Sequence, residues 1–543
     1  MNASETSILH LLESRAERFA NRPALSIREQ GSWRTLSYGA LSRGVRTWAT
    51  EWVHSGLLPG DRVAILSESR PEWAMAFLAG VRSGAVCVPL DPKLTQSELA
   101  NLLSDCRPRI LAVSSAHLEK AHEIAKQLGI QQLHVIDTPP DTMPDNVPML
   151  ERALDETALL VYTSGTTGNS KGVMITFGNL LFEVKSFERA FPFGPGDRFL
   201  SILPLNHSLE LTGGLLGVLN LGGTVYYSPG LYPQDIMSAL VEHKIQALIG
   251  VPLFFRTLRN GIEREITRRG TWAMRFFRFG LSAAAVIPAP GLRRLLFRPV
   301  HRRLGGHLRA FVSGGAPLEP NLIEFFDRLG IPLLQGYGLT ETGPVVSVNT
   351  LKEHRPGSVG RPLDHVNVRI EPTTGEILVR GPNVFAGYYH RPDLTAEVTD
   401  PEGWFHTGDL GEMDADGFLY IRGRSKNLIV LQGGKKVHPE EVEERLSRSE
   451  AVEEICILGC SVKDRVQGRT EEVCAVIVPS TLARSAHEGE GLEQFIRREI
   501  EELSRELAPF KRPTRVFIYP EELPKTTSRK VRRHAVLEWL ERQ

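Results

Sequence analysis

At 543 residues, 41% apolar and 24% charged, the chain has the make-up of an ordinary globular protein. It is too long for one core, so about three or four domains or subdomains are expected. A formal net charge of zero removes any global argument for nucleic-acid binding.

The segment Met1-Asn-Ala-Ser-Glu-Thr6 lacks the basic-then-apolar pattern of a signal peptide, and no uncharged stretch reaches the roughly 18 residues of a spanning helix. The expected location is the cytoplasm. Arg62–Leu66 reads as a strand, Pro71–Gly80 as a helix and Ala85–Leu90 as a strand again, a cadence that predicts α/β architecture with largely parallel sheets. Pro139–Pro144 reads as a surface loop. Strand and helix alternate again from Arg198, with a helix over Leu209–Asn220, and from Gln246 onward. Five cysteines (Cys87, Cys106, Cys456, Cys460, Cys474) are scattered and suit free thiols in a reducing cytosol; Cys456 and Cys460 lie four apart in a strand-like run with no second half of a zinc site.

From Arg256 to Arg309 the arginines, among them 264, 268, 269, 275, 278, 293, 294, 298, 302 and 303, face only Glu263 and Glu265, interleaved with Trp272, Phe276, Phe277, Phe279 and Phe297. Two readings stand: a basic helical hairpin packed on the body, or an interfacial helix in peripheral contact with a membrane. Further on, Gly417–Arg422 finishes a strand and Asn427–Leu431 starts another. Pro439–Leu446 reads as a helix, with proline in its first turn followed by glutamates. Strands at Ile455–Leu458 and Val473–Val478 and a helix over Leu492–Leu507 complete a compact unit of about 115 residues. The expected division is a domain over 1–422, a hinge at 423–426 and a small domain over 427–543.

The most informative segment is Tyr162-Thr-Ser-Gly-Thr-Thr-Gly-Asn-Ser-Lys-Gly-Val173, directly after the apolar run Ala158–Val161. Its glycines Gly165 and Gly168 let amides turn inward, and Thr163, Ser164, Thr166 and Thr167 add hydroxyl donors suited to polyphosphate oxygens. Lys171 adds a full positive charge. It is not a Walker A loop: only Asn169 and Ser170 separate Gly168 from Lys171, and the residues that follow read as a strand, so no helix dipole is aimed at the phosphate.

Five further segments accompany it: Leu203-Pro-Leu-Asn-His-Ser208, Ser313-Gly-Gly-Ala-Pro317, Gln335-Gly-Tyr-Gly-Leu-Thr-Glu-Thr342, His406-Thr-Gly-Asp-Leu410 and Pro524-Lys-Thr-Thr-Ser-Arg-Lys530. In this order and spacing they resemble the adenylate-forming superfamily of acyl-CoA synthetases, peptide-synthetase adenylation domains and luciferases, over about Leu36 to Arg533. The resemblance implies two doubly wound subdomains plus a β-barrel in a large N-terminal domain, followed by a small mobile α+β C-terminal domain.

It also implies roles. Thr163 and Glu341 would be ligands of Mg2+. ATP would be held by the loop from Thr163 to Lys171, with Tyr337, between Gly336 and Gly338, offering a face for adenine. Gly315 and Ala316 would pass close to the ring, and Thr340 lies beside Glu341 in the same motif. Asp409 would take the ribose hydroxyls and Arg424 would back the ribose or phosphate. Lys530 would be the catalytic lysine of adenylation, with Lys525 as competing candidate and Arg529 standing where the family usually has glycine. His207 would gate the route to the adenylate. Lys426 would be the hinge residue, and Gln432–Lys436 the loop that replaces Lys530 for the second half-reaction.

The run Leu209–Leu219, rich in leucine and glycine, suits an alkyl chain, and the chain as a whole is most similar to bacterial long-chain fatty acyl-CoA synthetases. The implied reaction is ATP-dependent activation of a medium- or long-chain fatty acid to acyl-AMP, then transfer to the thiol of CoA. A stand-alone ligase that loads a carrier protein and an aryl acid–CoA ligase are the alternatives. No insertion follows the Tyr-Gly-Leu motif before the Gly357–Gly360 turn.

Overall fold

The computed structural model describes residues 7–138, 149–164, 170–228, 230, 232–431, 435–464, 468–487, 490–525 and 531–542. The chain divides into two compact units, Met1–Val368 with Val379–Phe405, and Arg369–Leu378 with His406–Gln543. Pro139–Pro144 lies outside the described residues.

In the first unit the apolar runs form two large sheets. One has seven strands in the order Gly387–Tyr388, Ser170–Thr176, Thr157–Ser164, Val86–Leu90, Arg62–Leu66, Ile110–Val113 and Gln132–Val135. Its centre is parallel and its Thr157 side ends in antiparallel pairs. Val63 through Leu66 are fully buried, as expected for strands covered by helices on both faces. The other sheet has nine strands, and at its parallel heart Arg198–Ser201, Ala247–Gly250, Ala310–Ser313 and Leu333–Tyr337 lie side by side. Both doubly wound subdomains are therefore present. A further sheet has four strands in the order Asn367–Ile370, Glu376–Arg380, Phe405–Met413 and Leu419–Arg424.

The helix expected over Leu209–Asn220 is of π type over Glu210–Gly217, flanked by α-helical residues at Ser208, Leu209 and Val218–Asn220. Two of its glycines face side chains that occupy the space a Cβ would take. A Cβ on Gly217 would lie 2.6 Å from the Phe187 ring, and one on Gly214 would lie 2.5 Å from the Glu210 carboxyl carbon. Leu211, Leu215, Leu216 and Leu219 are buried in the main core. At Gly214 and Gly217 the space expected of glycine is therefore already filled by protein atoms.

The second unit is built on the strands Val452–Asp464, Gly468–Pro479 and Arg515–Ile518. Alternation splits its core. Ile457, Val473, Ala475 and Ile477 pack with Val442, Leu446, Ile496 and Ile500, while Cys456, Leu458, Cys474 and Val476 pack with Val536 and Leu540. Cys460 and Cys474 form a disulfide, a correction to the expectation of free thiols; Cys87, Cys106 and Cys456 are free and buried. Leu458 pairs with Cys474 across the hairpin, so Cys460 lies diagonally on the same face at a Cα separation of 6.0 Å. Linear spacing conceals that proximity.

Candidate active site

In the first unit the phosphate-type loop is closed at its neck by strand pairing. Tyr162 faces Gly172, Thr163 faces Lys171 and Ser164 faces Ser170, which is the strand–loop–strand arrangement read from the sequence. Gly165, Thr166, Thr167 and Gly168 lie outside the described residues. The Tyr162 hydroxyl donates to Asp105 at 2.5 Å and anchors one arm of the hairpin. A Cβ on Gly172 would meet Leu160 Cδ1 at 2.9 Å and Tyr389 Cβ at 3.2 Å, so the strand after the loop needs glycine there.

Tyr388 joins this hairpin to the Thr340–Thr342 turn. Its ring lies 4.9 Å from Lys171 Nζ, and its hydroxyl donates to Glu341 Oε1 at 2.9 Å. Burial first, and the Glu341 carboxylate second, push the phenol well above its usual range, so it remains a donor. No local pattern marks Tyr388. It arrives through antiparallel pairing of Gly387–Tyr388 with Ser170–Thr176, Tyr388 opposite Val173 and diagonal to Lys171. The strap before it is fixed by Asn179, whose Nδ2 donates to the Pro382 and Val384 carbonyls, and by the Phe385 amide, which donates to the Glu341 carbonyl.

Glu341 itself sits in a short 3-10 turn that Thr342 closes by accepting from the Leu339 amide at 2.9 Å. Beside it, buried Glu183 accepts from the Val345 amide at 3.2 Å, and burial raises its pKa well above the carboxylate range. Tyr337, half-buried, ends the strand Leu333–Tyr337, with Gly336 opposite Val348. A Cβ on Gly338 would stand 2.0 Å from the Pro344 carbonyl oxygen, so the turn that presents Tyr337 and Thr340 requires glycine. Ser313 ends the neighbouring parallel strand opposite Gln335, and Gly315 follows at φ +82° before Ala316. His207 is half-buried, its carbonyl accepting from the Leu211 amide. Leu209 reaches the glycine loop: a Cβ on Gly314 would lie 2.9 Å from Leu209 Cδ2.

In the second unit Asp409 and Arg424 are cross-strand partners, with Arg424 Nε 2.8 Å from Asp409 Oδ1. Asp409 is 4% exposed. A carboxylate has several acceptor sites, so the arginine does not exhaust them. Glu376, which sequence reading missed, braces this turn by accepting from the Gly408 amide at 2.9 Å and pairing with His406 Nδ1 at 3.3 Å. Lys426 is exposed in the 3-10 turn Ser425–Asn427, which Asn427 ties to Glu440 at 2.7 Å. Gln432–Gly434 lie outside the described residues; Lys435 Nζ is 5.0 Å from the Phe510 ring, and Lys436 pairs with Val430 in a short ladder.

Lys530 and Arg529 also lie outside the described residues, but the neck of their loop is described. Lys525 bridges to Val531, and the Arg532 amide donates to the Pro524 carbonyl at 2.7 Å. The Lys525 ammonium is held by Glu454 and Glu522, which makes it an anchor and weakens its claim as a competing catalytic lysine. Arg533 fixes the other arm, donating to the Ile457 carbonyl and pairing with Glu443 at 2.6 Å; burial raises the pKa of that glutamate even so.

Comparison with known proteins identifies the family. The AMP-binding enzyme profile covers residues 12–389 and the AMP-binding enzyme C-terminal domain covers 441–530. The chain is 31% identical to the long-chain-fatty-acid–CoA ligase FadD15 of Mycobacterium bovis, over 79% of this chain and 76% of that protein. It is 32% identical to a feruloyl-CoA synthase of an Amycolatopsis species, over 94% of each. Among solved structures, o-succinylbenzoate coenzyme A synthetase of Bacillus subtilis in complex with ATP and magnesium ion superposes with a TM-score of 0.76 at 26% identity, covering 97% of this chain and 99% of that one. The chain belongs to the AMP-binding enzyme family, with both the large domain and the C-terminal domain of that family present.

Proposed function

We propose that this protein, an ATP-dependent acid–CoA ligase working through an adenylate, acts on a medium- or long-chain fatty acid. The observation that carries the reading is Leu209, two residues after His207, whose aliphatic side chain abuts the glycine loop: a Cβ on Gly314 would lie 2.9 Å from Leu209 Cδ2. The likeness to FadD15 supports it.

The attacking carboxylate is ionised at neutral pH, so no general base is needed. It forms a bond to the α-phosphorus of ATP while the bond to pyrophosphate breaks, and the site's task is to place positive charge and donors around a crowded anionic centre. Lys171 supplies charge, with Lys530 added in the adenylating arrangement. Tyr337 receives adenine and Asp409 the ribose. Tyr388 holds Glu341 in place by its donated hydrogen bond.

Thr163 and Glu341 would hold magnesium, which when bound would spread positive charge over the phosphates. The donor set fits: a hydroxyl and one carboxylate suit a hard cation that keeps waters and phosphate oxygens as its other ligands, and among the described residues no cluster of three or more His, Cys, Asp or Glu offers a closed cage. In the second half-reaction the thiol of CoA attacks the adenylate carbonyl and AMP leaves. We assign Lys426, within 423–426, as the hinge between 1–422 and 427–543 that exchanges Lys530 for the 432–436 loop. The protein would work in the cytoplasm, in peripheral contact with the membrane through 256–309.

Aryl acids are the second reading, favoured by the feruloyl-CoA synthase relative that matches 94% of the chain. Pyrophosphate release across C8 to C18 fatty acids, aryl acids and amino acids, with CoA or a carrier protein as acceptor, tests both. Release with aryl acids and none with fatty acids would overturn the first reading.

A further inference from the structure

The helix Thr271–Ala284 is apolar on two faces. One face packs into the body through Phe277, Gly280 and Ala284. The other carries Trp272, Phe276 and Phe279 at i, i+4 and i+7, respectively 69%, 72% and 74% exposed. The next helix, Pro290–Leu296, also exposes apolar side chains, Leu292 at 58% and Leu295 at 65%. Three aromatic rings on one stripe in water are far from the ordinary scatter of single exposed apolar residues. No helix among the described residues is long and apolar enough to cross a membrane.

The segment that carries this stripe is strongly basic. Residues 256–309 contain thirteen arginines and two glutamates, in a chain whose formal net charge is zero. Both glutamates are already engaged: Glu263 by Arg259, and Glu265 by Arg268, Arg269 and Arg303. Arg275 and Arg278 flank the aromatic stripe on the same helix and are exposed, Arg275 lying 5.4 Å from the Trp272 ring. Arg293 and Arg294 are different. The first donates to the Ile287 and Asp327 carbonyls and the second to the Leu308 carbonyl, so they fasten the helices to the body.

We infer that this face docks on an anionic phospholipid bilayer, with Trp272, Phe276 and Phe279 entering the headgroup–acyl boundary and Arg275 and Arg278 on lipid phosphates. The inference deepens the peripheral location proposed above and rests on it, while its evidence is this face alone. Charge complementarity selects the occupant. A second copy would set this arginine cluster against itself, whereas anionic headgroups neutralise it and the acyl boundary accepts the rings.

The test is co-sedimentation of the full chain with vesicles of phosphatidylcholine alone or mixed with phosphatidylglycerol. The wild-type protein should pellet with the anionic vesicles and detach as salt is raised. Arg275→Glu with Arg278→Glu should weaken binding at least about 25-fold, near fivefold for each charge at about 1 kcal/mol. Trp272→Ala, Phe276→Ala and Phe279→Ala together should also weaken it. Arg497→Glu with Arg498→Glu, an equal charge change on another exposed helix, should not. No pelleting at low salt overturns the inference; so does equal loss in the Arg497/Arg498 variant, or self-association that the triple alanine variant abolishes. Fatty acyl-CoA formation from acid in free solution should survive in every variant. Loss of vesicle binding alone therefore sinks this inference, and refusal of fatty acids alone sinks the substrate reading.

Discussion

Glu210 is the clearest place to test the physics of this fold. It is 1% exposed, on the π-helical turn after His207, and neither carboxyl oxygen has a hydrogen-bond partner among the described residues. Burial pushes its pKa from 4.5 up to about 8; the Ser201 hydroxyl is near enough to pull it back slightly, but not in hydrogen-bonding geometry. The folded state therefore binds the Glu210 proton more tightly than the unfolded chain does. Stability is fully retained below about pH 4.5 and is lost as pH rises towards 8. With those two values the cost is below about 1 kcal/mol at pH 5, about 3 kcal/mol at pH 7 and about 5 kcal/mol at pH 9. Glu210→Gln removes the titration while keeping the shape. It should leave the melting temperature nearly unchanged at pH 5 and raise it by about 4 °C at pH 7, given the entropy of unfolding of a unit of this size. Thermal melts of both proteins at pH 5, 7 and 8.5 decide the matter. A melting difference that is the same at all three pH values would show that Glu210 does not titrate in this range, and the reasoning would fail.

Tyr388→Phe removes a hydrogen bond to a carboxylate worth about 1.5–3 kcal/mol, so kcat/KM for pyrophosphate release should fall about 10- to 100-fold while supplied acyl-AMP is still thioesterified; unchanged pyrophosphate release would remove Tyr388 from the site. Asp409→Asn should raise the KM for ATP and shrink the preference for ATP over its 2′,3′-dideoxy analogue, and an undiminished preference would refute the ribose assignment. Lys530→Ala should lose orders of magnitude in adenylation yet thioesterify supplied acyl-AMP, and Gly433→Trp should do the reverse; equal loss of both half-reactions in both variants would refute the two-orientation mechanism.

Local chemistry written in the sequence carried much of this reading. The apolar runs at Arg62–Leu66 and Val86–Leu90 are strands because unbroken apolar segments of that length bury both faces, and the proline and glutamates at Pro439–Glu441 start a helix at the residue expected. Glycine and hydroxyl density between two strands marked the loop at 163–171 without any contact information. The tertiary structure decided what depends on residues distant along the chain. It closed the glycine notches after His207 with Phe187 and Glu210, placed Tyr388 between Lys171 and Glu341, set Glu376 under the His406–Asp409 turn and brought Cys460 to Cys474. It also sorted the arginines, turning Arg293 and Arg294 onto backbone carbonyls and leaving Arg275 and Arg278 in water beside exposed rings. A linear pattern reports what each residue type can do. Which partner it meets, and whether a glycine's space is empty or filled, follows from strand register and helix packing, and these are fixed only when the whole chain has folded.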